Sequence, residues 1–573
     1  MGLQIDKIPN RQHKPTYLLR KCYRDGKKVC KETLANLSSL PMSQIEAIRM
    51  VLKGLDLVPV DEAFEVVKSR QHGAVQAVLE TMKRLGFKKL IASKSSRERD
   101  LVVAIVAARI ICPDTKLATT RLWHNTTLPS ELNVADATEN DIYKAMDWLL
   151  DHKKYIEQKL SRRHLSDGSK LLYDLSSSYF EGEKCPLAKR GYNRDQKKGK
   201  LQVNYGLLTD ERGCPITVRV VEGNVSDTKT FLPQIDQIRD EFGIKNMVVI
   251  GDRGMVSQKQ INEIRNHDGI DWITALRSSS IRKLVEDNSI QPELFDERNL
   301  FEIKHLDYPE ERLIVCRNPY LAKHRTEIRQ SLLDKTYEQL ENVQRSVQNG
   351  RINGVDKIGI RVGKIINKYN VSKHFDTEIT ENSFYFSINQ ERVAKESALD
   401  GVYIIRTNVS EDSMVAETVV RNYKNLSQVE IAFRSMKSID LMVRPIHHRL
   451  SNRVRSHIFI CMLAYYVQWH MRRAWSPLLL TDEDEELRKL GNPVASAQPS
   501  KRAKENKSGR TNRSNKNSET NHSFRTLLAS LSTIVSNTCK VIHDKSKNMS
   551  FEIITKPDKT QQKALELISK IEV

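Results

Sequence analysis

Apolar and polar residues alternate over short stretches near the start of the chain. Tyr17-Leu18-Leu19-Arg20-Lys21-Cys22-Tyr23 and Lys28-Val29-Cys30-Lys31-Glu32-Thr33-Leu34 flank Asp25-Gly26, a dipeptide suited to a hairpin turn. The pattern predicts a small β module over residues 1–60. From 61 to 165 the period lengthens. Val75, Val78, Leu79 and Met82 recur at helical spacing before Gly86, which suits a C-terminal stop. Ile142, Met146, Leu149, Leu150, Ile156 and Leu160 make another amphipathic stripe, and Ser95-x-x-Glu98 has the form of a capping box opening a helix through residues 101–112. This region is predicted to be a helical domain.

Between 166 and 278 the rhythm changes again. Residues 171–175, 202–208 and 215–222 read as strands, followed by a helix at 229–241. Met247-Val248-Val249-Ile250 is a continuous apolar run, expected of a strand buried on both faces; a helix at 257–266 and a strand at 271–276 follow. The order β-β-β-α-β-α-β describes an antiparallel meander continued by parallel strands through crossover helices, an α/β mixed sheet flanked by helices. Residues 279–410 are predicted to form a separate β-rich insertion domain, with strands near 300–305, 312–316, 383–388 and 402–406 and a long helix after Pro319. Helices over 413–437 and 452–469 return to the core at 411–475. Residues 476–522 are expected to be a flexible basic linker, rich in Ser, Asn, Lys and Arg from 497 onward, and 523–573 a small α+β tail.

Composition narrows the classes. The 573 residues carry 93 Lys+Arg against 72 Asp+Glu, a formal net charge of +21, which suggests a polyanionic partner. The longest apolar runs, 101–108 and 458–467, fall well short of the roughly 18 residues a bilayer span needs, so no membrane is expected. Residues 1–4 begin no apolar signal core, and eight scattered cysteines contain no C-x-x-C pair. The expected location is the cytoplasm.

Three acidic residues stand out by placement. Asp174 interrupts an apolar strand, where a carboxylate costs stability unless something compensates it. Asp252 follows the most apolar strand, at the carboxyl end where sites of open α/β sheets lie. In a meander-then-crossover sheet these strands can be neighbours, and adjacent carboxylates suit a hard divalent cation. Tyr423, Glu430 and Lys437 are seven and seven apart, nearly two whole helical turns each, and Arg434 lies one turn beyond Glu430. One helix face would thus carry a metal ligand and phosphate contacts together. Asp227, after the third strand, reads first as a turn residue, with a place near the site, orienting a basic residue, as the alternative. Trp469, Trp475, Tyr465 and Tyr466 read as core.

With these residues the chain resembles a DDE-type insertion-sequence transposase of the bacterial and archaeal group whose RNase H-like core carries a YREK signature. Tyr423, Glu430 and Lys437 match that spacing, while Leu426 occupies its Arg position. Tyr173-Asp174, Gly223-Asn224-x-x-Asp227, Gly251-Asp252-Arg253-Gly254-Met255 and Arg444-Pro445-Ile446-His447-His448 match as well. The resemblance implies a catalytic and metal-binding triad of Asp174, Asp252 and Glu430 holding two Mg²⁺ ions, for which Mn²⁺ can substitute. It implies DNA contacts through Tyr423, Arg253, Arg434 and Lys437, Arg434 serving partly in place of the missing arginine. The partners implied are double-stranded DNA, as terminal inverted repeats and target, and a second copy of the chain on paired ends. The helical domain is the candidate reader of the repeats. Two competing readings remain: an RNase H-like nuclease that cuts without joining, and a DNA-binding repressor derived from a transposase.

Overall fold

A computed structural model describes residues 2–10, 14–55, 57, 59, 63–287, 289–290, 295, 299–479, 492–494, 522–542 and 549–572. Most of the expected 476–522 linker lies outside the described residues. The chain divides into two units, Met1–Arg70 with Val535–Lys556, and Gln71–Ile534 with Pro557–Val573.

In the first unit β1 (Gly2–Ile8), β2 (Thr16–Asp25) and β3 (Lys28–Asn36) form an antiparallel sheet. The hairpin turns where the sequence places it, with Gly26 at φ 59°. A second sheet has the order β16-β15-β4, joining β4 (Phe64–Gln71) to β15 (Val535–Val541) and β16 (Ser550–Ile554). Two expectations are corrected here: residues 64–71, expected within the helical domain, form a strand of this sheet, and the 523–573 tail is no module of its own. The reason is long-range pairing. Phe64 meets Phe551 edge-on at 5.7 Å, Arg70 pairs with Glu552 at 2.9 Å, and Ser69 donates to Asn537 at 2.6 Å.

The second unit is built on β5 (Ser169–Tyr179), β6 (Gln202–Asp210), β7 (Pro215–Glu222), β8 (Met247–Ile250), β9 (Ile270–Ala275), β10 (Leu300–Ile303), β11 (Arg312–Arg317) and β14 (Val402–Thr407). They make one mixed sheet in the order β10-β11-β14-β9-β8-β5-β6-β7. The meander β5-β6-β7 is antiparallel, and β5, β8 and β9 run parallel, as the element order requires. The expected separate insertion at 279–410 is therefore corrected. Its strands β10, β11 and β14 extend the main sheet, because Leu313–Cys316 are buried throughout and β14 pairs with β9, Thr407 opposite Ile273. What remains as an insert is the Pro319–Gln348 helix, the Val355–Lys368 helix, β12 (Phe375–Ile379), β13 (Phe384–Ile388) and the Gln390–Ser397 helix. Leu333, Leu340, Val343, Ile358, Val362, Phe375 and Phe384 form its own core.

Alternation along β5 decides what the sheet presents to each side. Leu171, Tyr173 and Leu175 join Phe231, Ile235, Ile261 and Trp272 in one core, under the crossover helices Thr228–Phe242 and Gln258–Ile264. Gly206 admits the Tyr173 side chain, since a Cβ there would stand 2.1 Å from its hydroxyl. Leu172 joins Val203, Tyr205 and Ile250 in the opposite core, so position 174 shares that second face. A helix from Ser451 to Ala474, buried almost all round, runs through this core and packs on β7 and on the Arg97–Ile111 and Glu139–Asp151 helices. The helical region thus shares one core with the sheet. Its capping also differs by one residue: Ser96, not Ser95, accepts the Arg99 N–H at 3.1 Å, while Ser95 Oγ takes the Arg99 guanidinium at 2.6 Å.

One buried carboxylate joins the helical region to the sheet. Glu157, with its side chain 1% exposed, accepts from Lys153 Nζ at 2.6 Å, Thr217 Oγ1 at 2.6 Å and Val218 N–H at 3.2 Å. Glu157→Ala leaves those donors without their acceptor and is expected to lower stability by about 3 kcal/mol. Glu157→Gln keeps an acceptor and loses less; urea denaturation of both variants measures the difference.

Candidate active site

The two aspartates meet through strand register. Parallel β5 and β8 set Leu171 opposite Val249 and Leu172 opposite Ile250, so Asp174 and Asp252 each stand two residues beyond a matched pair. Neighbouring strands lie about 4.8 Å apart. Asp174 remains in the ladder opposite Leu207 on β6. Each carboxylate accepts the next backbone N–H, Asp174 from Leu175 at 2.8 Å and Asp252 from Arg253 at 2.7 Å.

Glu430 comes from the Leu426–Arg434 helix, which packs on β5 and β6. Val429, Ala432 and Phe433 are its buried residues, Phe433 lying edge-on to Tyr205 at 5.7 Å. Glu430, Asp174 and Asp252 line one open cavity of about 430 Å³, and Arg434 and Lys437 line it too. Tyr423 sits beside it, half-buried, its phenol pushed up by burial and then by Asp252, with Arg253 opposing. Arg253 is exposed next to Asp252 and is not among the lining residues. Leu426 packs against the apolar core rather than reaching the cavity.

The single helix expected over 413–437 is corrected. It breaks into Ala416–Lys424 and Leu426–Arg434, and Ser435–Ile439 widens into a π-helical turn. Buried Asp440 explains the last change: its N–H bonds Ser435 O at 3.1 Å, and its Oδ2 accepts from Ser435 Oγ at 2.7 Å, Gln468 at 2.7 Å and Arg472 at 2.8 Å. Such turns recur at functional sites. Lys437 therefore sits on this wider turn, and its Nζ is 3.2 Å from Asp195 Oδ1.

Sequence reasoning missed Arg194 and Asp195 and gave Arg444 no role beyond its place in the 444–448 motif; all three line the cavity. Asp195, its side chain 1% exposed, accepts from Tyr179 N–H at 3.0 Å and pairs with both Lys437 and Arg444. Burial pushes the Lys437 ammonium down and Asp195 opposes that. Arg194 is held by Asp227 through both carboxylate oxygens, at 2.7 and 2.6 Å. Asp227 is thus more than a turn residue: its side chain caps no helix and its oxygens face the site. The run Asn193-Arg194-Asp195-Gln196 has no periodicity to mark it. Its one signal was opposite charges side by side in the loop leaving β5.

These pairs leave Asp174, Asp252 and Glu430 as the carboxylates of the cavity without an ion pair among the described residues. Burial pushes the Asp174 carboxyl up to about 7; Asp252 and Asp227 add to the rise, while the Leu175 N–H and Arg194 oppose it. Three carboxylate donors with uncompensated charge on one cavity fit a hard divalent cation by type, although their oxygens do not all lie within 4.8 Å of one another. A second group does not. His164, Cys214 and His470 place ligand atoms within 4.8 Å of one another, but burial and then Arg212 and Arg163 hold His164 down to about 4. That arginine-rimmed cluster disfavours a cation.

The chain matches the family model of the transposase DDE domain over residues 166–467, more than half its length. It matches the IS1634 family transposase N-terminal domain over 5–59. No curated protein sequence matches it. Among solved structures it is similar to the cryo-EM structure of a piggyBac transposase synaptic complex with hairpin DNA. That similarity has 9% identity and a TM-score of 0.32, covering 69% of this chain and 72% of that one. A likeness at that level carries no argument.

The raised Asp174 carboxyl has a thermodynamic consequence for metal-free protein. Below its ordinary value of 3.8 both states are protonated and ionisation costs nothing; between about 4 and 7 the unfolded chain ionises first, so stability falls as pH rises, and above about 7 the full cost applies. Asp174→Asn removes that cost. Its melting temperature is expected to rise relative to wild type as pH increases from 4 to 7; thermal melts in chelator check the trend, and parallel curves would overturn it.

Proposed function

The chain belongs to the DDE-domain transposases of insertion sequences, and from that premise we propose that it cleaves the ends of its element and joins them to target DNA by in-line phosphoryl transfer. The observation that carries this reading is the register of β5 and β8, which sets Asp174 and Asp252 side by side on the face that the Glu430 helix covers. The core is RNase H-like in this reading, β7-β6-β5-β8-β9 being its five strands.

Asp174, Asp252 and Glu430 would hold two Mg²⁺ ions, for which Mn²⁺ could substitute. Bound there, the cations stabilise charge on the attacking and leaving oxygens. The protein supplies the rest. Asp174 would have to be ionised to serve as a ligand, and the β5–β8 ladder keeps its carboxyl aligned with that of Asp252. Tyr423, kept neutral by burial, donates its hydroxyl to a phosphate oxygen. Arg434 takes a phosphate next to the cut with its planar fork, and Lys437 and Arg253 flank it. Water attacks first, and the freed 3′-hydroxyl then attacks target DNA in the same cavity.

Such contacts position DNA without reading its sequence, so the terminal inverted repeats are recognised elsewhere, with the helices over 73–165 as the candidate. Two chains act together on paired ends of double-stranded DNA, in the nucleoid of the cytoplasm. No helix among the described residues is long and apolar enough to cross a membrane.

Supercoiled DNA carrying the element's ends, incubated with protein and Mg²⁺, tests this reading. Joined products are expected. Cleavage without joining would favour the nuclease reading, and binding with neither would favour the repressor. Asp252→Ala is expected to lower cleavage by at least about a thousandfold, 4 kcal/mol of barrier, with DNA binding retained in a gel-shift assay. Persistent cleavage sinks the triad.

A further inference from the structure

The insert carries a charged surface that the site does not use. On the Val355–Lys368 helix, Lys357, Arg361, Lys364 and Lys368 follow at intervals of four, three and four. At about 100° per residue these positions fall within an arc of roughly 60°. All four are exposed, while Ile358 and Val362 on the neighbouring face enter the insert's core. Asp356, in the first turn, is the helix's one acidic residue.

Among the described residues none of the four has a carboxylate partner; Lys368 lies 5.1 Å from the Tyr369 ring. Several basic side chains of the helical region differ. Lys83 and Arg84 pair with Glu80, Lys88 with Asp100 and Arg97 with Asp136. Charge kept in one row without local neutralisation is available to an outside polyanion.

The stripe also has the right length and support. It runs for roughly 16 Å of helix, against which one DNA strand projects about five phosphates along its axis. The Pro319–Gln348 helix supports it: its buried residues begin at Leu333, roughly 20 Å of helix from its start, and pack against the stripe's own helix. Thr326 and Arg329 brace the first part of that helix on Asp400. A stiff, linear polyanion matches a straight exposed row of this length better than a compact one.

We propose that Lys357, Arg361, Lys364 and Lys368 seat on the phosphate backbone of double-stranded DNA, forming a clamp on the insert separate from the cavity. The proposal rests on the transposase reading of that cavity for the choice of DNA. The contact is electrostatic and independent of sequence, and each phosphate neutralised releases counterions.

Full-length protein, titrated with salt against a short labelled duplex of arbitrary sequence, tests it. The combined variant Lys357→Gln, Arg361→Gln, Lys364→Gln, Lys368→Gln is expected to bind at least about tenfold more weakly near 0.1 M salt. Its slope of log affinity against log salt should be shallower by about 3 to 4. A control that removes as many exposed charges elsewhere, Lys245→Gln, Lys259→Gln, Lys283→Gln, Lys304→Gln, should keep the wild-type slope. An unchanged slope in the first variant, an equal loss in the control, or a loss confined to single-stranded DNA overturns the clamp while leaving the transposase reading intact. Wild-type protein that binds no duplex at any salt overturns both.

Discussion

The parallel ladder between β5 and β8 is the constraint on which the site depends. Two carboxylates repel each other and would separate if their backbones could move. Here each stands two residues beyond a hydrogen-bonded pair, and the sheet is clamped between two cores, so the acids cannot drift apart without breaking the ladder. A slip of one residue would turn Asp174 toward Tyr173's core and bring Leu175 to the cavity. Packing on both faces of β5 therefore does more than stabilise the fold. It fixes the distance between two charges.

Around that pair the charges are sorted by role. The chain carries an excess of +21, yet the cavity floor is acidic. Asp227 answers Arg194, and Asp195 answers both Lys437 and Arg444, so the basic side chains nearest the acids are partly spent on neighbours. Adjacent residues Arg194 and Asp195 make opposite contacts and pin the loop after β5 from two sides. Arg434 has no such partner among the described residues. Under the proposed function, that contrast makes it the better phosphate contact of the two basic residues beyond Glu430.

How much of this was legible follows from the range of the interactions. The order of strands, the Asp25-Gly26 hairpin, the Gly86 stop and the buried Met247–Ile250 strand came from periodicity and turn chemistry, which are local. Placing Asp174 beside Asp252 needed only the topology that the crossover order dictates. The errors lie where partners are far apart in sequence. Nothing near β14 says that Thr407 faces Ile273, and nothing near Phe64 announces Phe551. Arg194 and Asp195 were invisible for a related reason: a loop residue acquires meaning only from what the fold brings to it.

The break in the Glu430 helix shows why spacing alone could match the signature and still misplace a side chain. Seven-residue intervals put Tyr423, Glu430 and Lys437 on one face only if the helix is regular. Asp440, its side chain 2% exposed, pulls the last turn out of register by taking Ser435 Oγ while it binds Gln468 and Arg472 of the central helix. Arg525, on the Phe524–Leu531 helix, reaches the Asp440 carbonyl as well. The end of the Glu430 helix is thus fastened to two other helices through one buried carboxylate. A regular helix would keep Lys437 in phase with Glu430; the wider turn delivers it to Asp195, leaving Arg434 in phase one turn beyond the acid. The sequence motif records which residues arrive at the cavity, and the buried anchor decides what each of them meets.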